Sequence, residues 1–192
     1  MQRTQSRLKK KYESEVKKIL SSEFGIKNPM AVPVVTKVVV NTGLAEIAKN
    51  KELMEATKRD LAQVTGQTPS VQKARVSIAA FSLRKGMPVG LKVTLRGARM
   101  YDFLDRLFSI VLPRLRDFRG VPRGSFDKSA NYSLGIGEHT VFPELNLGKV
   151  VKPFGLEITM VIKSKSQEQS RRLLELLGMP FAKEEGQKER KN

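Results

Sequence analysis

The segment 88–96 (PVGLKVTLR) constrains the fold more than any other part of the chain, because apolar residues alternate in it with polar or small ones. Successive side chains of a β-strand point to opposite faces of the sheet. The alternation therefore predicts a strand with one buried face and one solvated face. The apolar positions are Val89, Leu91, Val93 and Leu95, and the opposite positions are Gly90, Lys92, Thr94 and Arg96.

Three further segments are predicted strands. Residues 34–41 (VVTKVVVN) are mostly β-branched, which favours extended structure. Residues 131–137 (NYSLGIG) and 155–163 (GLEITMVIK) alternate in the same way as the first strand. Together these four strands predict an antiparallel or mixed sheet with an apolar face and a polar face.

Apolar residues at helical spacing predict helices that can cover the apolar face of the sheet. The predicted helices span residues 4–24, 51–65, a segment that starts at about 99, and 167–177. Asn50 is a candidate N-cap, and Ser166 with Gln169 is a candidate capping box. Gly66 and Gly178 are expected to end two of the helices, and Pro113 is expected to kink or restart the third.

The organisation of the chain favours one domain. No repeat, Gly/Ser linker or shift in composition divides its 192 residues, and roughly 150 residues per domain is usual. We predict a single α+β domain over residues 1–180, with helices packed on one face of a mainly antiparallel sheet. Residues 181–192 form a polar tail that is predicted to be disordered. The uncovered sheet face is where function is expected.

The charge balance predicts a polyanionic partner. The chain has 36 Lys and Arg against 19 Asp and Glu, a formal net charge of +17. Residues 61–101 contain no carboxylate. Segregation of this kind suits a phosphate backbone better than a surface that only maintains solubility. An ordinary solvated basic face, and binding to DNA or to an anionic membrane surface, remain alternatives. The cations of this segment are Lys73, Arg75, Arg84, Lys85, Lys92, Arg96 and Arg99.

Other residue types exclude or weaken several classes of chemistry. The chain has no cysteine and one histidine, so neither a thiolate nucleophile nor a metal site built from cysteine or several histidines is expected. No apolar run approaches the roughly 20 residues that cross a bilayer. Glu138 and His139 are the candidates for an RNA-modifying or RNA-cleaving enzyme, but adjacent strand residues point to opposite faces. No catalytic residue, cofactor or metal is predicted.

Polar side chains on the predicted strands are the candidate RNA contacts. Lys92, Thr94 and Arg96 share one face, and Lys37 and Asn41 share a face on the first strand. Cations and hydroxyls in this arrangement suit phosphates and ribose 2′-hydroxyls. Proteins that bind single strands stack bases on exposed aromatic residues, which these strand faces almost lack. The pattern therefore favours folded RNA.

The segment 72–87 is a long basic loop that also carries Val76, Ile78, Phe81 and Leu83. Long loops within compact domains are usually functional or disordered. Because a disordered loop rarely carries such apolar residues, we predict that this loop contacts a partner.

Six strings resemble, in order and spacing, the bacterial form of the family of the universal large-subunit ribosomal protein five, which binds 5S rRNA. The resemblance covers about residues 5–180. The strings are VVVNTGL (38–44), TGQTPSVQKARVSIAAF (65–81), KVTLRGARM (92–100), PRLRDFRG (113–120), SFDKSANYSLGIGE (125–138) and VFPEL (141–145).

The resemblance implies a structural protein of the cytoplasmic large ribosomal subunit, without enzymatic activity, membrane partner or homo-oligomer. Members hold 5S rRNA in the central protuberance and contact large-subunit rRNA. By position in the family motifs, the rRNA-binding residues are Asn41, Gln67, Thr94 and Arg96, to which the alternation adds Lys37 and Lys92.

The resemblance also implies two further partners. The loop 72–87 corresponds to the family's contact with the peptidyl-site tRNA, and a surface near 141–155 corresponds to a bridge to the small-subunit head protein thirteen. The candidate tRNA contacts are Lys73, Arg75, Ser77, Phe81, Arg84 and Lys85.

Overall fold

The computed structural model describes residues 6–44, 47, 50–116, 118–145, 148 and 151–182. Five strands form one sheet in the order β2-β3-β1-β5-β4, and every neighbouring pair is antiparallel. The central strand is the β-branched one, which is paired on both sides. The strands are β1 Val34–Gly43, β2 Ser70–Lys73, β3 Pro88–Leu95, β4 Tyr132–Ile136 and β5 Leu156–Lys163.

Four helices of the described chain pack against the sheet, as expected for the predicted α+β class. Helix α1 comprises Arg7–Lys11, a π-helical turn Tyr12–Val16 and Lys17–Glu23, and α2 is Lys51–Thr65. Helix α3 comprises Gly97–Arg106, a π-helical turn Leu107–Val111 and Leu112–Arg114, and α4 is Gln167–Leu177. Two short 3₁₀ turns, Ala79–Phe81 and His139–Val141, lie in connecting segments. No helix in the described ranges is long and apolar enough to cross a bilayer.

One hydrophobic core joins the inward sheet face to the helices. Val38 and Val40 of β1 and Leu91 of β3 are fully buried, together with Phe103 and Leu104 of α3. Burying each such side chain contributes about 1.5–3 kcal/mol, so this face fixes which side of the sheet remains available to partners.

Side-chain contacts arrange the helices around this core. The rings of Tyr12 on α1 and Tyr101 on α3 lie 6.3 Å apart. Arg172 of α4 forms an ion pair with Glu23 of α1 at 2.9 Å. Helix α1 therefore contacts both α3 and α4 in the core layer.

The predicted helix caps of α2 and α4 are confirmed. Asn50 Oδ1 accepts from the backbone N–H of Glu52 at 2.9 Å, and Gly66 ends the helix with a φ of 68°. Ser166 Oγ accepts from Gln169 N–H at 3.3 Å. The return bond of the capping box differs, because Gln169 Oε1 accepts from the N–H of Lys165 rather than from that of Ser166.

Several predicted boundaries shift. Strand β1 continues to Gly43 rather than ending at 41, and α3 begins at Gly97 rather than at about 99. Pro113 lies within the last turn of α3, one residue before its end. Since proline lacks an N–H and its ring crowds the carbonyl four residues before it, the π-helical turn before it accommodates this position. The predicted start of α1 at residue 4 lies outside the described residues.

Phe181 and Ala182, the first residues of the tail defined from sequence, contact Val121 and Tyr132. Ala182 donates its N–H to the Val121 carbonyl at 3.0 Å, and Val121 N–H donates to the Pro180 carbonyl at 2.8 Å. The Phe181 ring packs edge-on against Tyr132 at 5.8 Å. These contacts join Phe181 and Ala182 to the body of the fold, and residues 183–192 lie outside the described ranges.

Candidate nucleic-acid interface

The two sides of the sheet differ sharply in exposure. On β1, Val38, Val40 and Thr42 are buried, whereas Lys37 and Asn41 are half-buried on the opposite side. We call the side with Lys37 and Asn41 the open face. It is formed by the outward side chains of the five strands, so it is the polar face that the sequence predicts.

Strand register aligns one row of residues across the open face. Asn41 lies directly opposite Lys92 of β3 on one side and Glu157 of β5 on the other. Ser70 is opposite Lys92, and Gly135 is opposite Glu157. Since neighbouring strands are about 4.8 Å apart, the row places a cation, an amide and a carboxylate at regular intervals.

A second row supplies hydroxyl groups. Val39 lies between Thr94 of β3 and Thr159 of β5, and Thr159 in turn lies opposite Ser133 of β4. The hydroxyls of Ser133 and Thr159 are 3.1 Å apart and form a hydrogen bond. Hydroxyls can donate and accept, so this row suits the 2′-hydroxyls and phosphates of RNA.

Gln67 connects the segment after α2 to the open face. Its Nε2 donates to the backbone carbonyl of Thr94 at 3.2 Å, and its side chain is half-buried. The backbone carbonyl of Gln67 accepts from the hydroxyl of Thr65 at 3.0 Å. Gln67 is therefore close to Thr94, and its amide also fixes the edge of β3.

Arg96 lies at the end of the open face rather than within its strand. Strand β3 ends at Leu95, and Arg96 is the extended N-cap residue of α3, with φ −139° and ψ 161°. Alternation alone could not predict this boundary, because the N-cap backbone is itself extended. The Arg96 side chain is exposed and is accessible to a ligand.

Sequence reasoning missed Glu157 on the open face, as it missed Ser133 and Thr159 of the hydroxyl row. Glu157 is exposed, and Asn41 Nδ2 donates to its Oε2 at 3.4 Å. Among the outward residues of the five strands it is the one carboxylate. Its position between the apolar Leu156 and Ile158 was a readable signal of an outward side chain.

The segment between β2 and β3 is an ordered extension of their hairpin. Ala74 N–H donates to the Met87 carbonyl at 2.8 Å, and Gly86 N–H donates to the Ala74 carbonyl at 2.9 Å. Farther out, Lys85 N–H donates to Ser77 Oγ at 3.0 Å. The backbone pairing of β2 with β3 therefore continues outward from the sheet.

The tip of this extension combines apolar exposure with positive charge. Phe81 is 74% exposed and Val76 is 61% exposed. The predicted loop cations are all exposed, but Lys73 is the last residue of β2 rather than part of the loop; the others are Arg75, Arg84 and Lys85. Because such large apolar groups are expensive to leave in water, the tip is a candidate contact surface.

The histidine is a packing residue. His139 is fully buried, its ring stacks on Phe154 with centroids 3.7 Å apart, and its Nδ1 accepts from Phe154 N–H at 3.2 Å. Burial lowers the pKa of His139, although Asp60, with Oδ2 3.6 Å from Nε2, opposes the shift. Glu138 is exposed and accepts from Thr140. Glu138 and His139 therefore form no acid–base pair.

The predicted bridge segment is only partly described. Within 141–155, Phe142, Leu145 and Phe154 are buried, whereas Val151 is 67% exposed. Glu144 forms an ion pair with Arg106 of α3. Residues 146–147 and 149–150 lie outside the described ranges. In the part of the chain that the structure describes, no three potential ligands among His, Asp and Glu cluster as a metal site.

The open face of this antiparallel sheet carries cations, an amide and hydroxyls, which are groups suited to phosphates and ribose 2′-hydroxyls. Comparison with known protein families identifies the family to which the chain belongs. Residues 28–84 match the family described as Ribosomal protein L5, and residues 88–181 match the family that describes the C-terminus of the same ribosomal protein.

Curated relatives extend this match over most of the chain. The protein named Large ribosomal subunit protein uL5 from Thermoanaerobacter sp. (strain X514) is 53% identical over 178 residues, which is 93% of this chain and 99% of the relative. The protein of the same name from Dictyoglomus thermophilum is 54% identical over 176 residues, 92% of this chain and 98% of the relative. That from Thermotoga maritima is 52% identical over 174 residues, 91% of this chain and 95% of the relative.

The chain therefore belongs to the ribosomal protein L5 family, which confirms the resemblance predicted from its six strings. It is a ribosomal protein rather than an enzyme, and the relatives are named as proteins of the large ribosomal subunit.

Proposed function

We propose that this protein is a structural constituent of the large ribosomal subunit that binds 5S rRNA through the open face. In this role it attaches 5S rRNA to the central protuberance and contacts large-subunit rRNA. The observation that carries the proposal is the row in which Asn41 lies between Lys92 and Glu157, on the uncovered side of a sheet in a chain of charge +17.

The mechanism is electrostatic and geometric. Lys37, Lys92 and Arg96 neutralise phosphates, and the counterions released from the RNA supply much of the affinity. Thr94 and the Ser133–Thr159 pair contact ribose hydroxyls, since a hydroxyl can both donate and accept. Asn41 presents an amide, which can donate and accept at a base edge. The rigid paired strands hold these groups at fixed spacing, which favours a folded RNA of matching shape.

We assign the loop extension to the peptidyl-site tRNA. Its exposed cations suit the tRNA backbone, and the exposed ring of Phe81 can stack on a base or pack on ribose. The extension is held to the sheet by backbone pairing between Ala74 and Met87. This anchorage supports a contact that is structurally separate from the open face.

We assign the segment near 141–155 to the bridge with the small-subunit head protein thirteen. Exposed Val151, close in sequence to buried Phe154, offers an apolar contact at this site. The ion pair of Glu144 with Arg106 ties the segment to the helical layer.

The salt dependence of 5S rRNA binding tests the assignment of the open face. Lys92→Ala should weaken binding and reduce the slope of log affinity against log salt by about 0.7–0.9, the loss of one phosphate contact. Lys18→Ala is the matched control, because Lys18 is an exposed lysine on α1, and it should leave affinity and slope near wild type. Equal effects of the two variants, or displacement of 5S rRNA by duplex DNA or anionic vesicles at equal charge, would contradict the proposal.

A further inference from the structure

Glu157 is out of place on a surface that binds phosphate. It is exposed near the start of β5, in the row that contains Lys92 and Asn41. A carboxylate repels the phosphates that the surrounding cations attract, so its presence lowers affinity for any nucleic acid backbone. Its position therefore raises the question of a compensating role in folding or in recognition.

Glu157 contributes little to the stability of the fold. Within the described residues, the Glu157 carboxylate accepts one hydrogen bond, from Asn41 at 3.4 Å, and it has no ion pair. A long hydrogen bond at an exposed site contributes little to stability, since water replaces it on unfolding. Thr159 has the same outward orientation two residues later, so a neutral residue is compatible with this strand.

The surroundings leave the carboxylate accessible from one side. Its Oε2 faces Asn41, and the residue opposite it on β4 is Gly135, which has no side chain. A Cβ placed at Gly135 would meet nothing within 4 Å. Space is therefore open beside the second carboxylate oxygen, on the face proposed to meet RNA.

We propose that Glu157 is a specificity-determining residue of the RNA site, which accepts a hydrogen bond from a nucleoside donor. The inference rests on the proposed function of the open face. An ionised carboxylate only accepts, so it can bind a base amino group or a ribose 2′-hydroxyl but not a phosphate oxygen. Asn41 lies beside it, with Nδ2 3.4 Å from Oε2.

With Glu157 in this role, the two ends of the row bind different groups of the RNA. Lys92 at one end takes a phosphate, Glu157 at the other takes a nucleoside donor, and Asn41 lies between them. An RNA strand laid across the sheet in the reverse sense would bring phosphate to the carboxylate. Glu157 therefore selects one orientation of the RNA by repulsion as well as by its hydrogen bond.

The variant Glu157→Gln tests the proposal by the sign of its effect. Removing a negative charge tightens binding to every RNA if charge alone matters. The proposal instead predicts that affinity for 5S rRNA falls about fivefold, because the neutral amide oxygen of glutamine accepts a weaker hydrogen bond than the carboxylate does. Affinity for an unrelated structured RNA should rise or stay constant, so the ratio of the two affinities falls. Tighter binding of Glu157→Gln to both RNAs would overturn the inference.

Matched variants distinguish failure of the Glu157 proposal from failure of the proposed function. Glu15→Gln removes an exposed carboxylate from α1 and should leave the affinity ratio unchanged, and thermal unfolding of both variants should match wild type. If Lys92→Ala weakens 5S rRNA binding but Glu157→Gln does not, the open face is still the RNA site, but Glu157 does not determine its specificity. If neither variant affects binding, the proposed function falls as well.

Modified RNAs identify the donor. 5S rRNA with inosine in place of guanosine, or with 2′-deoxy nucleotides, removes base amino groups or ribose hydroxyls separately. Wild type should lose affinity for one of these RNAs, and Glu157→Gln should lose less, because its amide oxygen accepts a weaker hydrogen bond from the same donor. Equal losses for both proteins in every modified RNA would overturn the inference.

Discussion

Asn41 of β1 and Lys92 of β3 are directly opposite partners in the antiparallel ladder, and both point to the open face. Side chains in such a pair have Cβ atoms about 4.5–5.5 Å apart. Two groups so close must meet the same segment of a bound RNA. Their spacing is set by the backbone pairing of β1 with β3, so it does not depend on the conformation of the loops.

Asn41 and Lys92 should therefore be energetically coupled in RNA binding. Neighbouring residues that share a ligand commonly show interaction energies of about 0.5–3 kcal/mol. We expect Asn41→Ala and Lys92→Ala together to weaken 5S rRNA binding by less than the sum of the single effects. A double-mutant cycle measured by filter binding or calorimetry checks this, and strict additivity would place the two residues on different parts of the RNA.

Phe81 should matter for tRNA and not for 5S rRNA. Its ring is 74% exposed at the tip of the loop extension, so Phe81→Ala removes contact area without opening a cavity. We expect weaker retention of peptidyl-site tRNA on assembled ribosomes and unchanged affinity of the free protein for 5S rRNA. Val76→Ala, at another exposed apolar position in the loop, tests how far the contact extends. Loss of 5S rRNA binding in Phe81→Ala would refute the division of roles.

Gly120 should be intolerant of a side chain. Its φ is 107°, and a Cβ there would approach the backbone nitrogen of Ala182 to 2.4 Å. Gly120→Ala should therefore lower the free energy of unfolding by about 1–3 kcal/mol, from strain and displacement of the Phe181 segment. Gly124→Ala is the control, because a Cβ there meets nothing within 4 Å. Urea unfolding measures both, and equal stability of the two variants would contradict this packing.

His139 should make stability depend on pH in a defined direction. Burial lowers its pKa in the folded state below the ordinary value of 6.5, while Asp60 and Glu138 partly oppose the shift. The unfolded chain then binds the proton more readily, so this contribution to stability is fully present above pH 6.5 and is lost as pH falls below it. Thermal unfolding between about pH 7.5 and 5.5 should show the decline, and His139→Gln should flatten it. An unchanged profile in His139→Gln would assign the decline to other groups.

Much of the fold could be predicted because its signals are local. The alternation in 88–96 identified β3 and its two faces, and the caps Asn50 and Ser166 fixed two helix starts. The limits of prediction appear where distant segments meet. His139 is buried by stacking on Phe154 and packing near Asp60, and Phe181 packs against Tyr132. No local pattern reports such contacts.

In the candidate site, too, some residues could be predicted from local patterns, whereas others depend on contacts between distant segments. Lys37, Asn41, Lys92 and Thr94 could be assigned to the open face by alternation, which the register confirms. The order of the row depends on which strands are neighbours. The placement of Glu157 beside Asn41 therefore required the sheet topology, in which β5 pairs with β1 across 116 positions of sequence.

Site-directed cross-linking tests most directly whether RNA lies on the open face. Because the chain has no cysteine, Ser133→Cys gives one attachment point for a photoreactive maleimide on β4, and Ser22→Cys gives a matched exposed point on α1. The protein labelled at 133 should cross-link to 5S rRNA on illumination, whereas the protein labelled at 22 should not. Cross-links from 22 without cross-links from 133 would contradict the account.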